Sequence, residues 1–585
     1  MSRRRPPQAQ RPRAWFVGEA PDFRRRGLWL VLAFAAMAIA VLGRLVQVQV
    51  FQSHTLAAAA RAQHTTSIAL QGSRGVILDR SGRVLASNRS VYDVFVDPSL
   101  VDASQRQQVA VKLAGVLNMS AEPVLRALQQ QNQFAYVAKG VSPDVNQRLQ
   151  GLDLPGVGTI PSQERVYNPS PLPSTSFAAN VLGFVDADGH GQYGVEQYYN
   201  NVLSGTTGHE STLTDLLGNP IVLSGNQKVD AKSGDNLQLG LDSQLQYWAE
   251  LALAHGMVNA QAQSGTLMIM DPHTGSIRAW AQYPAYDANN YGQGTLATFR
   301  DLAVSQPYEP GSVMKIVTFA GGLEHNTITP STVINEQQSV IDGYLIHDWD
   351  DRSHGSVTMQ RVLDLSLNNG AIKLQQMEGQ DPFYANMLGF GIGSPTGVDL
   401  AGEVNNPLPP QSSWGTLSYA EASFGQGIYA TPVEMLAAIN AVANGGVWVQ
   451  PHAVDSVIDP ATGKATPFVP RTRRVMSATA AATLAHMMVG VVDDPGAEGS
   501  YAQIAGYKGQ IAGKTGTASV AENGHYGSNV ITSFSGFMPV NNPQFTMMVI
   551  LNKPQTSQPR FGATLAAPVW KNVAQVIIDQ WRIEP

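Results

Sequence analysis

The stretch GQIAGKTGTASV, residues 509–520, admits two incompatible readings: a loop that cradles phosphate, or one wall of an acyl-transfer pocket. Counting decides between them. A phosphate loop needs Gly, four residues, then Gly-Lys-Ser/Thr, so that backbone N–H groups wrap the anion at a helix N-terminus. With Gly513 and Lys514 in place, the first glycine would have to stand at position 508, which is Lys508. Gly509 is one residue too close. The residues that follow, with Gly516 and then Asn523-Gly524, do not open a helix. The phosphate reading fails.

At 585 residues the chain exceeds a single ordinary core, and two or more domains are expected. Hydrophobic residues make up 43% and charged residues 14%, the balance of a folded protein. A net charge of −6 gives no footprint for nucleic acid. The absence of cysteine removes disulfides, thiolate catalysis and Cys-ligated metals.

Charge is concentrated at the start. Arg3, Arg4, Arg5, Arg11, Arg13, Arg24, Arg25 and Arg26 face only Glu19 and Asp22, and the uncharged run GLWLVLAFAAMAIAVLG (27–43) follows at once. Apolar residues continue past Arg44 to Phe51. About 20 residues span a bilayer, and an arginine near the end of such a helix can snorkel. The positive-inside rule then places the basic tail in the cytoplasm and everything after residue 50 outside. A cleaved signal peptide is the competing reading, with Ala38-Ile39-Ala40 as its cleavage motif. The long basic segment and the apolar residues beyond that motif favour an uncleaved anchor.

Beyond the anchor, residues 52–70 read as an Ala- and Gln-rich helix or linker. SRGVILDRSGRVLASN (73–88) reads as two short strands about a turn at Ser81-Gly82. Helical periodicity runs over 104–151, with Val109, Leu113, Val116 and Leu117 on one stripe. Residues 166–180 are loop-like, and a polar stretch runs from Gly194 to about 235. A second unit begins near Leu237: a helix over 241–260, then a hairpin of SGTLMIMD (264–271) and SIRAWAQY (276–283) joined by Pro272-His273-Thr274-Gly275. Near the end, NVITSFSGFMPV (529–540) and QFTMMVILN (544–552) form a second strand pair, followed by a helix from about Pro568 to Trp581. Strands at both ends of this unit with helices between predict one mainly antiparallel sheet covered by helices.

Three short motifs explain one another. In YEPGSVMKIVTFAGGLE (308–324), Pro310-Gly311 marks a helix start at Ser312, and Lys315 shares its face one turn on. Burial would depress the lysine's pKa and free an amine as base beside a serine at the positive end of the helix. Alone this is weak, since an N-cap with a surface lysine has the same spacing. DLSLNNG (364–370) offers Ser366 and Asn368, a hydroxyl and a carboxamide able to relay a proton and hold an amide; alone it reads as a polar loop. On a strand, Lys514, Gly516 and Ala518 face one way, and Thr515 and Thr517 the other. The small residues would let a substrate backbone approach, and the N–H groups of Thr517 and Ser312 could face an oxyanion.

Together and in this order, Ser-x-x-Lys, Ser-x-Asn and Lys-Thr-Gly are the signature of penicillin-binding proteins and class A β-lactamases. The chain resembles a class B penicillin-binding protein, a membrane-anchored, monofunctional peptidoglycan D,D-transpeptidase. RGVILDRSGRVLASN, GVEQYYNNVLSG, GTLMIMDPHTGSIRAWAQYPAYDANNY, EASFGQGIYATPVEM and SFSGFMPV extend the likeness over most of 44–585. The fold implied is multidomain α+β. It has a basic cytoplasmic tail (1–26), a single transmembrane helix (27–50), an elongated mixed α/β pedestal of the dimerisation type (51–236) and a transpeptidase domain (237–585). The catalytic residues implied are Ser312 as nucleophile, Lys315 as base, and Ser366, Asn368 and Lys514 in the pocket walls. Thr515, Gly516 and Thr517 would bind substrate, the two threonines holding its terminal carboxylate.

The resemblance implies a D-Ala-D-Ala donor stem peptide, an amine acceptor from a neighbouring stem, β-lactams as inhibitors, and no metal or cofactor. It also implies a cytoplasmic (inner) membrane location with the catalytic domain outside. The E-P-G-S form at 309–312, DRSG at 79–82 and the overall length are most similar to the septal, penicillin-binding protein 3 branch, rather than the side-wall branch. A SEDS-family glycan polymerase and other divisome proteins are then the expected partners, because no acidic glycosyltransferase motif follows the anchor. No appended repeat domain is expected after the last helix. Against a β-lactamase or sensor stand the anchor, the large first domain and the lack of an S-D-N motif or partner glutamate. A non-catalytic divisome scaffold is the alternative of another class. HDWDDRSH (347–354) has no standard zinc or calcium spacing and reads as a solvated loop.

Overall fold

The computed structural model describes residues 23–56, 65–70, 72–213, 227–522 and 525–585. The basic tail up to Asp22 and the Asn523-Gly524 pair lie outside these. An α-helix spans Phe23–Val46 and continues as a π-helical turn over Gln47–Phe51. From Arg26 to Phe51 it is long and apolar enough to cross a membrane, and none of its most apolar stretch is buried in the protein. Residues 53–56 are helical, but Thr65–Leu70 is a strand where a helix or linker is expected. Thr65, Thr66 and Ile68 are β-branched, which suits a strand, and it runs antiparallel to Gly208–Leu213, which pairs with Gln227–Val229. Among the described residues, those within 23–70 and 207–230 form one compact unit and those within 72–206 and 231–585 form the other.

In the second unit a seven-stranded sheet is organised on one long strand, Val84–Val96, which pairs with Ile77–Leu78, Ala135–Val141 and Val157–Tyr167. The turn into it is held by Asp79, whose carboxylate accepts from the N–H groups of Ser81 (2.8 Å) and Arg83 (2.9 Å). Gly82 supplies the left-handed residue, at φ +84°. The second strand of this hairpin is therefore thirteen residues long, not short. The helical periodicity of 104–151 resolves into Arg106–Leu117, Ala121–Leu128 and Pro143–Gln150, interrupted by the strand Ala135–Val141. Asn118, left-handed at φ 53°, ends the first helix. The strand is decided by pairing to Val84–Val96, which local periodicity does not register. Asn236–Leu239 joins the same sheet, parallel to Ile77–Leu78 and antiparallel to Val454–Ile458.

The segment from Gly194 is not simply polar surface. It forms two short helices, Gly194–Tyr198 and Asn200–Leu203, and buries Glu196 completely. Glu196 pairs with Arg74 at 2.6 Å and with Arg165 at 2.7 Å, and accepts from the Tyr167 hydroxyl at 3.1 Å. A buried carboxylate shared by a buried and a part-buried guanidinium joins three distant stretches of chain.

The five-stranded antiparallel sheet has the order Ile277–Tyr283, Ser264–Met270, Phe545–Asn552, His525–Met538, Ala512–Glu522. Helices cover both faces, so its central strands are apolar runs rather than alternating ones. On one face Ser243–Ala260 and Gly562–Trp581 bury Leu245, Leu253, Trp570 and Ile577 against Phe534 and Val549. On the other, Lys315–Glu324, Pro432–Ala443 and Ala478–Asp493 contribute Val317, Leu436 and Leu484 to a core with Met268, Phe537 and Met548. The last helix begins at Gly562, six residues before Pro568, which lies inside it. Its start is fixed by the Gly562 N–H donating to the Thr517 hydroxyl at 3.0 Å. Ala512–Glu522, the stretch that contains GKTGTASV, is the edge strand of this sheet, leaving one side open for the site.

Candidate active site

Ser312 stands in a 3-10 turn, Gly311–Met314, that runs directly into the helix Lys315–Glu324, of which residues 315–323 are all buried. Gly311 has φ +59° and donates its N–H to the Gly425 carbonyl at 2.9 Å, so the turn entering the serine is pinned from both sides. A Cβ on Gly311 would stand 3.0 Å from the Thr517 carbonyl. The serine turn therefore lies against the unpaired side of the edge strand.

Lys315 Nζ is 3.0 Å from Ser312 Oγ and 2.8 Å from Asn368 Oδ1, and also reaches the Ser366 carbonyl. The side chain is fully buried. Burial, reinforced by the nearby Lys514 charge, pulls its pKa down to about 7. In the neutral state its two N–H bonds go to the Ser366 carbonyl and Asn368, and its lone pair is left to accept from the Ser312 hydroxyl.

Ser366 sits between the helices Met359–Asp364 and Asn368–Glu378 in a left-handed conformation, φ 58°. The second helix is capped from outside: the carboxylate of Asp348 accepts from the N–H of Asn368, and from the N–H (3.3 Å) and side-chain amide (2.9 Å) of Asn369. This corrects the solvated-loop reading of HDWDDRSH. His347, Asp351 and Arg352 are exposed, but Asp348 is buried and holds the Ser-x-Asn turn.

Lys514 Nζ donates to Ser366 Oγ at 2.7 Å and to the Thr515 carbonyl and hydroxyl at 3.1 Å each. Burial lowers its pKa to about 8, opposed by Glu498 and Asp364. Ser366 thus lies between two lysines, one bonded to its carbonyl and one to its hydroxyl. Ser312, Ser366, Asn368, Thr515 and Thr517 line one cavity of about 190 Å³, with Trp349 and Phe561 at its rim. All eight residues singled out in the sequence are brought together. A Cβ on Gly516 would strike Ser533 and Val313, and one on Gly513 would strike the Phe534 ring. The two glycines thus admit the neighbouring strand and the serine turn.

Asp348, Glu498, Trp349 and Phe561 are cavity residues that the sequence reading missed. Asp348 and Trp349 lay in a segment conspicuous for its charge; nothing local distinguishes Glu498 or Phe561.

With this geometry established, likeness to known proteins can be weighed. Residues 265–575 match the penicillin-binding protein transpeptidase domain, and residues 69–239 the penicillin-binding protein dimerisation domain. The chain belongs to the class B penicillin-binding proteins. It is 30% identical to stage V sporulation protein D of Bacillus subtilis over 96% of this chain and 86% of that protein. It is 28% identical to peptidoglycan D,D-transpeptidase FtsI of Escherichia coli over 95% and 91%. Among solved structures, a peptidoglycan synthetase from Bifidobacterium adolescentis superposes with a TM-score of 0.71 at 26% identity, covering 89% of this chain and 97% of that one. Penicillin-binding protein 3 of Mycobacterium tuberculosis, complexed with aztreonam, gives 0.68 at 25%, covering 88% and 98%. As a class B penicillin-binding protein the chain is a serine-type, acyl-transferring D,D-transpeptidase of peptidoglycan synthesis.

Proposed function

We propose that this transpeptidase cross-links stem peptides at the division septum, with Ser312 as the nucleophile. The observation that carries the site assignment is the 3.0 Å contact of Ser312 Oγ with a fully buried lysine amine, at the meeting of the three motifs. Lys315 takes the Ser312 proton as Oγ attacks the carbonyl carbon of the penultimate D-Ala. The C–N bond to the terminal D-Ala breaks, its nitrogen takes a proton back through Lys315 and Ser366, and the acyl group remains on Oγ. An amine of a second stem then attacks that ester, loses a proton and restores the serine hydroxyl. Asn368 orients the donor amide, Lys514 supplies positive charge, and Thr515, Gly516 and Thr517 present the edge strand to the donor, the threonines meeting its terminal carboxylate. A β-lactam enters the first half of this sequence and acylates Ser312.

The two lysines set opposite limits on pH. Lys315 must be neutral, which favours pH above about 7; Lys514 must be charged, which favours pH below about 8. The second-order rate of acylation by a penicillin therefore rises through the first value and falls through the second, a narrow bell. A profile flat from pH 6 to 9 would contradict these roles.

The septal assignment rests on E-P-G-S at 309–312, DRSG at 79–82 and chain length. The arginines before the apolar helix support a cytoplasmic N-terminus, with the pedestal (51–236) and transpeptidase domain (237–585) outside. The chain has no glycosyltransferase motifs, so a SEDS-family polymerase and divisome proteins supply its glycan substrate and place it. Depleting the protein in its host should give filaments lacking closed septa; swollen round cells would assign it to side-wall synthesis.

A further inference from the structure

One charged group in the cavity, Glu498, touches the substrate-binding strand itself as well as favouring the charged form of Lys514. Glu498 opens a short 3-10 turn, Glu498–Ala502, and its carboxylate lines the same 190 Å³ cavity as Ser312. It accepts from the Thr515 hydroxyl at 2.7 Å and lies 3.8 Å from Lys514 Nζ. A threonine hydroxyl has a single proton to donate. Here the Thr515 oxygen accepts from Lys514 at 3.1 Å and its proton is committed to Glu498. The group expected to bind the donor's terminal carboxylate is therefore already bonded to a carboxylate of the protein itself. The backbone of the turn is anchored: Gly499 packs where a Cβ would stand 2.7 Å from the Val491 carbonyl, and Ala502 is fully buried. The Glu498 side chain is 22% exposed, so the carboxylate can leave the seat while the turn stays put.

We infer that Glu498 is an internal occupant of the carboxylate seat, a specificity residue that an anionic donor or β-lactam must displace before Thr515 can bind it. The inference rests on the assignment of Thr515 and Thr517 to carboxylate binding. A ligand without that negative charge escapes both the competition for the Thr515 proton and the repulsion between two carboxylates in one small, partly desolvated cavity. Glu498 thus raises the threshold for anionic ligands relative to neutral ones.

The test compares a penicillin with its neutral methyl ester on the purified full-length chain in detergent, for wild type, Glu498→Gln and Glu498→Ala. The readout is the ratio of second-order acylation rates, acid over ester, which cancels any general loss of active enzyme. Both substitutions should raise this ratio on the order of tenfold, because only the acid is relieved of the competing carboxylate. A ratio unchanged within twofold in both variants, or lowered, would overturn the inference. Ser312→Ala in parallel separates the two levels: if it still takes the acyl group, the assignment of the site fails; if it takes none and the ratio is unmoved, only the role of Glu498 fails.

Discussion

Lys315→Ala should slow acylation of the enzyme by a penicillin roughly 10²–10⁴-fold, the usual worth of a positioned general base. The serine loses the only amine within reach of its hydroxyl among the described residues, and the Ser366 carbonyl and Asn368 amide lose the donor that holds them in register. Lys315→Arg should not restore the rate, because a guanidinium stays protonated and cannot accept the serine proton. Since the wild-type lysine already carries the cost of burial, the alanine variant should fold, and its melting temperature provides that control. Rates are read from the time course of covalent labelling. A loss of less than tenfold in a folded Lys315→Ala protein would remove Lys315 from the role of base.

Glu196→Ala, far from the cavity in sequence, should destabilise the fold by about 3–5 kcal/mol, the penalty for leaving buried charge uncompensated. Arg165 is buried and Arg74 mostly so, both point at Glu196, and Arg165 Nη2 has no hydrogen-bond partner among the described residues. Removing the carboxylate leaves two guanidiniums facing each other with no negative charge between them. Glu196→Gln, which keeps the shape and loses the charge, should fall between wild type and alanine. Thermal melting and protease sensitivity of the protein measure the effect. Equal melting of all three proteins would mean that the network contributes nothing to the fold.

The parts of this protein that the sequence made legible are those in which chemistry and local pattern coincide. The hairpin at 264–283 announced itself by apolar runs about Pro272-His273-Thr274-Gly275, and the structure forms it with Ser264–Met270 against Ile277–Tyr283. Ser312 and Lys315 needed only the spacing of one helical turn, and Ser366, Asn368 and Lys514 became meaningful through the order of their motifs. What escaped was decided by distant pairing. Ala135–Val141 lies in a helical pattern but is a strand because Val84–Val96 is there to receive it. Glu196 looked like surface because its partners, Arg74 and Arg165, are 122 and 31 residues away. Asp348 looked solvated because the N–H groups it caps belong to residues 20 and 21 positions later. The packing of Val313 of the serine turn beside Gly516 was likewise invisible, because the two lie about 200 residues apart in sequence. A carboxylate such as Glu498 carries no motif at all and is found only by asking what touches Thr515.

The central claim is that Ser312 is the residue acylated. Its most direct measurement is the intact mass of the full-length protein, wild type and Ser312→Ala, after incubation with a penicillin. The account predicts one stable adduct of one penicillin mass on wild type and none on the variant, with the adduct mapping to the peptide that contains Ser312. An adduct of equal extent on Ser312→Ala, or a wild-type adduct on any other residue, would contradict it.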